Sequence, residues 1–227
     1  MNAKRRKSAD DAIAAQVRYY DLYASDYVNP LAPSNRRATS VLPPTAARDL
    51  IDDIAPKGDV LELACGPGGF TAELARHAET VTAIDASQQM LARNRAEVDL
   101  PNVRYIHADI FDWQPADTYD VVFFGFWLSH VPPVRFDDFW RLVRTCLRYN
   151  GRVAFVDESD RSMVNDDIRI VGGVPLARRA LGEGHTHDVI KLFWNPDDLT
   201  GRLRTLGWNM SVRRVHDIFM CGVGYQH

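Results

Sequence analysis

The chain has only three cysteines, Cys65, Cys146 and Cys221. They are odd in number and widely spaced, which excludes a disulfide framework and a zinc pattern alike. It also lacks an apolar run of membrane-spanning length: the longest, Val121-Val122-Phe123-Phe124 and on to Leu128, is far too short and reads as a buried central strand. There is little excess of charge, −3 overall, and no long basic stripe, which argues against a nucleic-acid partner. Lys4-Arg5-Arg6-Lys7 is followed by Asp10 and Asp11 with no apolar stretch behind it, so it reads as a solvated tail and not as a secretory signal. These absences fit a reducing cytoplasm, no membrane partner and one domain over residues 1–227.

What is present is an apolar strand running into a glycine-dense turn and a helix: Val60-Leu61-Glu62-Leu63-Ala64-Cys65-Gly66-Pro67-Gly68-Gly69-Phe70. Glycines let a backbone approach a ligand without Cβ clashes, and the N–H groups opening the next helix can meet an acidic group. A dinucleotide turn would need a third glycine at position 71, where Thr71 stands. Three apolar runs instead each bring a carboxylate: Glu62 within the first, Asp85 after Thr80-Val81-Thr82-Ala83-Ile84, and Asp109 after Val103-Arg104-Tyr105-Ile106-His107-Ala108. On a parallel sheet they gather at the carboxyl edge, where open α/β sheets bind ligands. Such a set suits a cationic nucleoside better than a pyrophosphate, since a carboxylate can accept both ribose hydroxyls.

The remaining pattern alternates. Helices are expected near 11–27, 45–54, 70–77, 87–97 and 134–148, and strands near 59–63, 80–84, 103–107, 119–124 and 151–156. Asn195-Pro196-Asp197-Asp198 starts a further helix that ends at Gly207, and Trp208 to His216 and Ile218 to Tyr225 form an antiparallel final pair. The fold class is therefore α/β, a doubly wound, mostly parallel seven-stranded sheet with an antiparallel last strand. Residues about 158–193 form an insertion before the last helix, where acceptor selection is expected.

At these residues the chain resembles the class I S-adenosylmethionine-dependent methyltransferases, whose first motif is an acid followed by small residues at alternate positions, here Glu62, Ala64, Gly66 and Gly68. Within them it looks most like the phosphonate O-methyltransferases of dehydrophos biosynthesis. That likeness rests on Asp109-Ile110-Phe111-Asp112-Trp113, Trp127-Leu128-Ser129-His130-Val131-Pro132, Arg178-Arg179 and Lys191. The resemblance implies S-adenosylmethionine as cofactor, with the Glu62–Gly68 turn on its methionine part, Asp85 on the ribose and Asp109 on the adenine amino group. It adds Ala86, Met90, Ile110 and Phe126 to the cofactor pocket and sets His130, Arg179 and Lys191 around the acceptor, where Arg178 and Trp127 are expected as well. Ala64 stands where glycine is usual.

A cluster of fixed positive charge favours an acidic small-molecule acceptor. An ionised acid needs no base, whereas an alcohol or amine does, and His130 is then the candidate. Lys191, inside the apolar run Val189-Ile190-Lys191-Leu192-Phe193, needs a partner there. His185 and His187 share a face but have no third ligand, so no metal is expected. Residues about 11–45 are expected to form a helical lid carrying Tyr19, Tyr23 and Tyr27 over the acceptor. The sequence admits a homodimer. Two other readings are N-methylation of a small heterocycle or amine and a non-catalytic S-adenosylmethionine-binding module. A nucleic-acid amino methyltransferase would carry an acid or Asn and two prolines where Gly125-Phe126-Trp127-Leu128 stands.

Overall fold

A computed structural model describes residues 3–25, 44–181 and 185–226. Along the chain run α1 (Ala3–Tyr23), α2 (Pro44–Ile54), β1 (Asp59–Leu63), α3 (Thr71–His77), β2 (Thr80–Asp85), α4 (Gln88–Glu97), β3 (Val103–His107), β4 (Tyr119–Gly125), α5 (Phe136–Cys146) and β5 (Leu147–Glu158). They are followed by β6 (Ile168–Val171), β7 (Val174–Leu181), β8 (His185–Ile190), α6 (Pro196–Thr205), β9 (Trp208–Val215) and β10 (Phe219–Gln226).

Seven strands form one sheet in the order β3-β2-β1-β4-β5-β10-β9. Six run the same way and the last in sequence, β10, runs against its neighbours β5 and β9. The order reverses between β1 and β4, so their carboxyl ends diverge into a crevice. The central strands are buried on both faces, as a parallel sheet between helical layers requires. Leu61, Leu63, Val122, Phe124, Val153 and Phe155 face a core with Phe139, Trp140 and Val143 of α5 and Leu199 and Leu203 of α6. Their alternates Val60, Val121, Phe123, Ala154 and Val156 face the second core with Leu50, Ile51 and Ile54 of α2 and Leu74 of α3.

Local sequence explains the helix starts. Ser87 caps α4 by accepting from Met90 N–H at 3.1 Å, and Asn195 caps α6 by accepting from Asp197 N–H at 2.9 Å, with Pro196 at the first position.

The structure differs from the sequence reading in three places. Helix α1 begins at Ala3, so the basic run 4–7 is helical and not a tail; Arg6 pairs with Asp138 of α5 at 3.1 Å. Strand β5 begins at Leu147, where it pairs with Tyr119 ahead of a register irregularity. The inserted segment holds a three-stranded antiparallel sheet, β6-β7-β8, and its last strand ends at Ile190. Lys191 is therefore not inside a strand. Its N–H still donates to Pro175 O at 3.0 Å, and the next, of Leu192, turns to Ser129 O at 2.8 Å, tying this sheet to the turn after β4. Of the expected lid at about 11–45, α1 (Ala3–Tyr23) supplies residues 11–23, while residues 26–43, including Tyr27, lie outside the described residues.

Helix α1 packs on β7 and β8 through Ala9, Ile13, Val174, Leu176 and Ile190 and continues to α4, where Ser87 Oγ donates to Asp21 at 2.6 Å. It thereby crosses the carboxyl edge of the large sheet.

Candidate active site

A cavity opens at that edge, floored by the β1–α3 turn and the ends of β2 and β4 and roofed by α1. The turn contributes Ala64, Cys65, Gly66, Pro67, Gly69 and Phe70. Ala64 has φ 53° and Gly66 φ 52°, so both swing into the left-handed region that a sharp strand-to-helix turn demands. A Cβ added at Gly66 would meet nothing within 4 Å and would project into open space; the glycine keeps that space clear. Gly68 has φ 97° and a different duty: a Cβ there would lie 2.7 Å from Asn94 Oδ1 and 2.9 Å from Val98 Cγ2, so it lets α4 pack under the turn.

Asn94 is fully buried and donates to Gly66 O at 3.1 Å and to Thr71 Oγ1 at 2.9 Å; Thr71 in turn donates to Glu62 Oε2 at 2.7 Å. Glu62 does not line the cavity but sits beneath the turn and braces it. Burial, with the Asp85 charge adding to it, raises its pKa to about 8 against the Thr71 hydrogen bond, so the carboxyl is mostly protonated at neutral pH.

Asp85 does line the cavity. Its Oδ2 accepts from Gly66 N–H at 2.9 Å and its Oδ1 from Ser87 N–H at 2.8 Å, which leaves each oxygen able to accept again. Burial lifts its pKa to about 6 in spite of those two bonds, helped by the nearby Asp21. Asp109 shares the cavity, accepting from Phe111 N–H at 2.9 Å, and burial raises its pKa as well. Ala86, Met90 and Ile110 line the wall between the two acids, and Phe126, at φ 55°, closes the β4 side with Gly125 and Trp127. The indole Nε1 of Trp127 is buried without a hydrogen-bond partner among the described residues. Cys65 is a buried thiol whose pKa is pushed well up by burial and the neighbouring acids, which leaves it a small wall residue and no nucleophile.

The far end of the cavity is His130, only 8 % exposed. Its Nε2 lies 3.2 Å from Tyr20 Oη and its Nδ1 3.2 Å from Gln16 Oε1. Burial and the charges of Lys191 and Arg179 hold its pKa well below 6.5, so the imidazole is neutral. Neither cation lines the cavity. Lys191, 5 % exposed, forms an ion pair with Glu158 and donates to Ser129 Oγ at 3.1 Å; Arg179 forks onto both oxygens of Asp166. Asp157, fully buried, accepts from Ser129 N–H at 2.9 Å and from Glu158 N–H at 2.7 Å, which locks the turn carrying His130.

Of the residues expected in the site, the structure brings Ala64, Gly66, Asp85, Ala86, Met90, Asp109, Ile110, Phe126, Trp127 and His130 to one cavity. Glu62 and Gly68 stand behind its wall. Arg178 is exposed, 3.9 Å from Asp188, and takes no part in the lining. Tyr19 and Tyr23 stack on each other at 5.4 Å outside the lining, and Tyr19 is buried with its pKa pushed up to about 12. The lining residues of α1 are Ile13, Gln16, Val17 and Tyr20, which the sequence reading passed over. Their i, i+3, i+4, i+7 spacing was a legible stripe, and the tyrosine repeat drew attention to the wrong face.

The cavity fits S-adenosylmethionine: a cleared turn, two further-accepting carboxylates and apolar walls match an amino-acid part, a ribose with an adenine, and a ring. A family profile described as a methyltransferase domain matches residues 60–151. Among solved structures, a DhpI–SAH complex is 35 % identical and covers 95 % of this chain and 97 % of that one, with a TM-score of 0.79. A DhpI–SAM–HEP complex is 36 % identical over 94 % and 97 %, with a TM-score of 0.78. Trans-aconitate 2-methyltransferase of Escherichia coli is 39 % identical over 75 residues, 32 % of this chain and 29 % of that protein, so the match spans under a third of the curated relative. From the turn and carboxylates of the sheet edge, and from a likeness over almost the whole length of a solved relative, the chain belongs to the class I S-adenosylmethionine-dependent methyltransferases.

Proposed function

We propose that the chain methylates an oxygen of a small acidic metabolite, a carboxylate or a phosphonate. One observation carries this: the acceptor end of the cavity, at His130, lies in the field of two cations, Lys191 and Arg179, each held close by an acid. Such half-neutralised cations attract an anion without forming a full salt bridge to its attacking oxygen, which would lower its nucleophilicity. One curated relative is named for an acid, trans-aconitate. In this reading Asp85 accepts the ribose hydroxyls, Asp109 the adenine amino group, and the turn at Gly66 faces the methionine part.

The bound cofactor supplies a methyl group already activated on a positive sulfur. The protein therefore has to orient and dry the site, and orientation alone can provide ~7–11 kcal/mol of rate enhancement. Helix α1 excludes water from above, with Ile13 and Val17 as an apolar ceiling. We further read residues 1–227 as one methyltransferase domain in which the β6-β7-β8 sheet selects the acceptor, and a homodimer as compatible with it.

The test is turnover. Incubating the protein with S-adenosylmethionine and panels of small carboxylates, phosphonates, alcohols and amines should release S-adenosylhomocysteine with acids. Turnover confined to amines would replace this reading with N-methylation, and tight cofactor binding with no turnover on any panel would replace it with a binding module.

Cofactor affinity should also depend on pH through Asp85. Its ionised form accepts two hydroxyls, so protonation near pH 6 competes with binding. Affinity for S-adenosylhomocysteine should be level above pH 7 and weaken below pH 6, by no more than about tenfold per pH unit for one proton. Calorimetry from pH 5 to 8 reads this, and a flat profile would remove Asp85 from the ribose.

A further inference from the structure

We infer that Gln16 is a positioning residue that fixes the tautomer of His130, keeping the proton on Nδ1 and the lone pair of Nε2 turned toward Tyr20 and the cavity. The inference deepens the proposed reading of this site as the place of methyl transfer and rests on it for its consequence.

Gln16 is 2 % exposed, and its Oε1 has two neighbours: Ile190 N at 3.1 Å and His130 Nδ1 at 3.2 Å. The first is a backbone N–H that can only donate, so the amide atom facing it is the oxygen, and the orientation of the amide is set by β8. An acceptor oxygen then faces Nδ1, which must carry the proton. A neutral imidazole has one N–H, so Nε2 is the acceptor and the Tyr20 hydroxyl, 3.2 Å away, donates to it. The neutral state is secured by the groups packed around the ring. Burial first, then the charges of Lys191 after β8 and Arg179 on β7, oppose a second proton against a backbone hydrogen bond at Ile190 that favours it, while Asp157 and Glu158 of β5 bond to Ser129 and Lys191.

The arrangement gives the site a proton acceptor with a direction. For an acidic acceptor that arrives still carrying an O–H, such as a phosphonate monoanion, the oxygen's electron pair would form the bond to the methyl carbon as the methyl–sulfur bond breaks, its pair staying on sulfur as a neutral thioether. The O–H proton passes to the Tyr20 oxygen as the Tyr20 proton moves to Nε2, leaving His130 as imidazolium and Tyr20 neutral. In the opposite tautomer Nε2 would bear a proton and the step would be closed.

The experiment reads the ring directly. In 15N-histidine-labelled protein with S-adenosylhomocysteine bound, the signals lost in His130→Asn should show a protonated, pyrrole-type Nδ1 and a pyridine-type Nε2. Gln16→Leu should mix or invert the two tautomers and lower kcat at least tenfold for a phosphonate acceptor in its monoanionic, O–H-bearing form, while leaving cofactor affinity within about twofold. Gln16→Glu keeps an acceptor for Ile190 and guards against misfolding; its charge should raise the His130 pKa and move the acid limb of kcat upward by about one pH unit or more. A protonated Nε2 in the parent protein, or the same tautomer and pH profile in both variants, would overturn the inference. The same spectra recorded without ligand should show the same tautomer, so failure to bind S-adenosylhomocysteine would strike the reading of the site while the ligand-free spectra still decide the tautomer.

Discussion

Asp85→Ala is expected to cut affinity for S-adenosylmethionine by roughly 10²–10⁴-fold, because two hydrogen bonds to a charged group, each of about 1.5–3 kcal/mol, vanish together. The carboxylate also holds Gly66 N–H and Ser87 N–H, so its loss loosens the turn at the same stroke. Asp85→Asn separates the two effects: its single carbonyl oxygen can still serve one of those N–H groups, but it brings no charge to the ribose. Folding should suffer little in either variant. Burial makes the charged form of Asp85 unfavourable, as its raised pKa of about 6 records, and its removal relieves that cost. Titration calorimetry beside thermal melting checks both statements. An Asp85→Ala protein that binds the cofactor normally would show that the ribose sits elsewhere.

Lys191→Ala carries the second large effect, and it falls first on stability. Lys191 is 5 % exposed, and its removal leaves Glu158 beside the buried Asp157 with no counter-charge. Stripping one partner from a buried pair costs about 3–5 kcal/mol. For a chain of this size that corresponds to a melting temperature lower by roughly 6–20 °C. Lys191→Met combined with Glu158→Gln removes both charges and should restore most of the loss, which permits the acceptor to be read on a folded protein. In that double variant the KM for an acidic acceptor should rise while cofactor affinity holds. Arg179→Ala, whose side chain is 34 % exposed, should do the same with a smaller loss of stability. Unchanged acceptor kinetics in both proteins would defeat the anionic-acceptor proposal, whatever the melting temperatures.

The two cations show how far a sequence can be read. Lys191 beside apolar neighbours announced that it needed a partner, but Glu158, 33 positions earlier, could be named only once β5 and the end of β8 were seen side by side. The same holds for the N-terminal helix. Repeated tyrosines drew the eye to Tyr19 and Tyr23, which stack on each other away from the cavity, while Tyr20 turns inward. Which face of an amphipathic helix meets a site depends on what it packs against, here β8 through Ile13 and α4 through Asp21.

By itself the sequence determined the strand–turn–helix at Gly66, the successive carboxylates Glu62, Asp85 and Asp109, the cap at Asn195 and the antiparallel finish, because each depends on residues a few positions apart. Only the tertiary structure decided that Glu62 braces the turn from behind while Asp85 faces the cavity, that Lys191 is bound to Glu158, and that Gln16 Oε1 lies beside His130 Nδ1. Backbone conformation is chosen by near neighbours in the chain, whereas burial, charge pairing and proton position are set by whichever groups packing brings within hydrogen-bond reach.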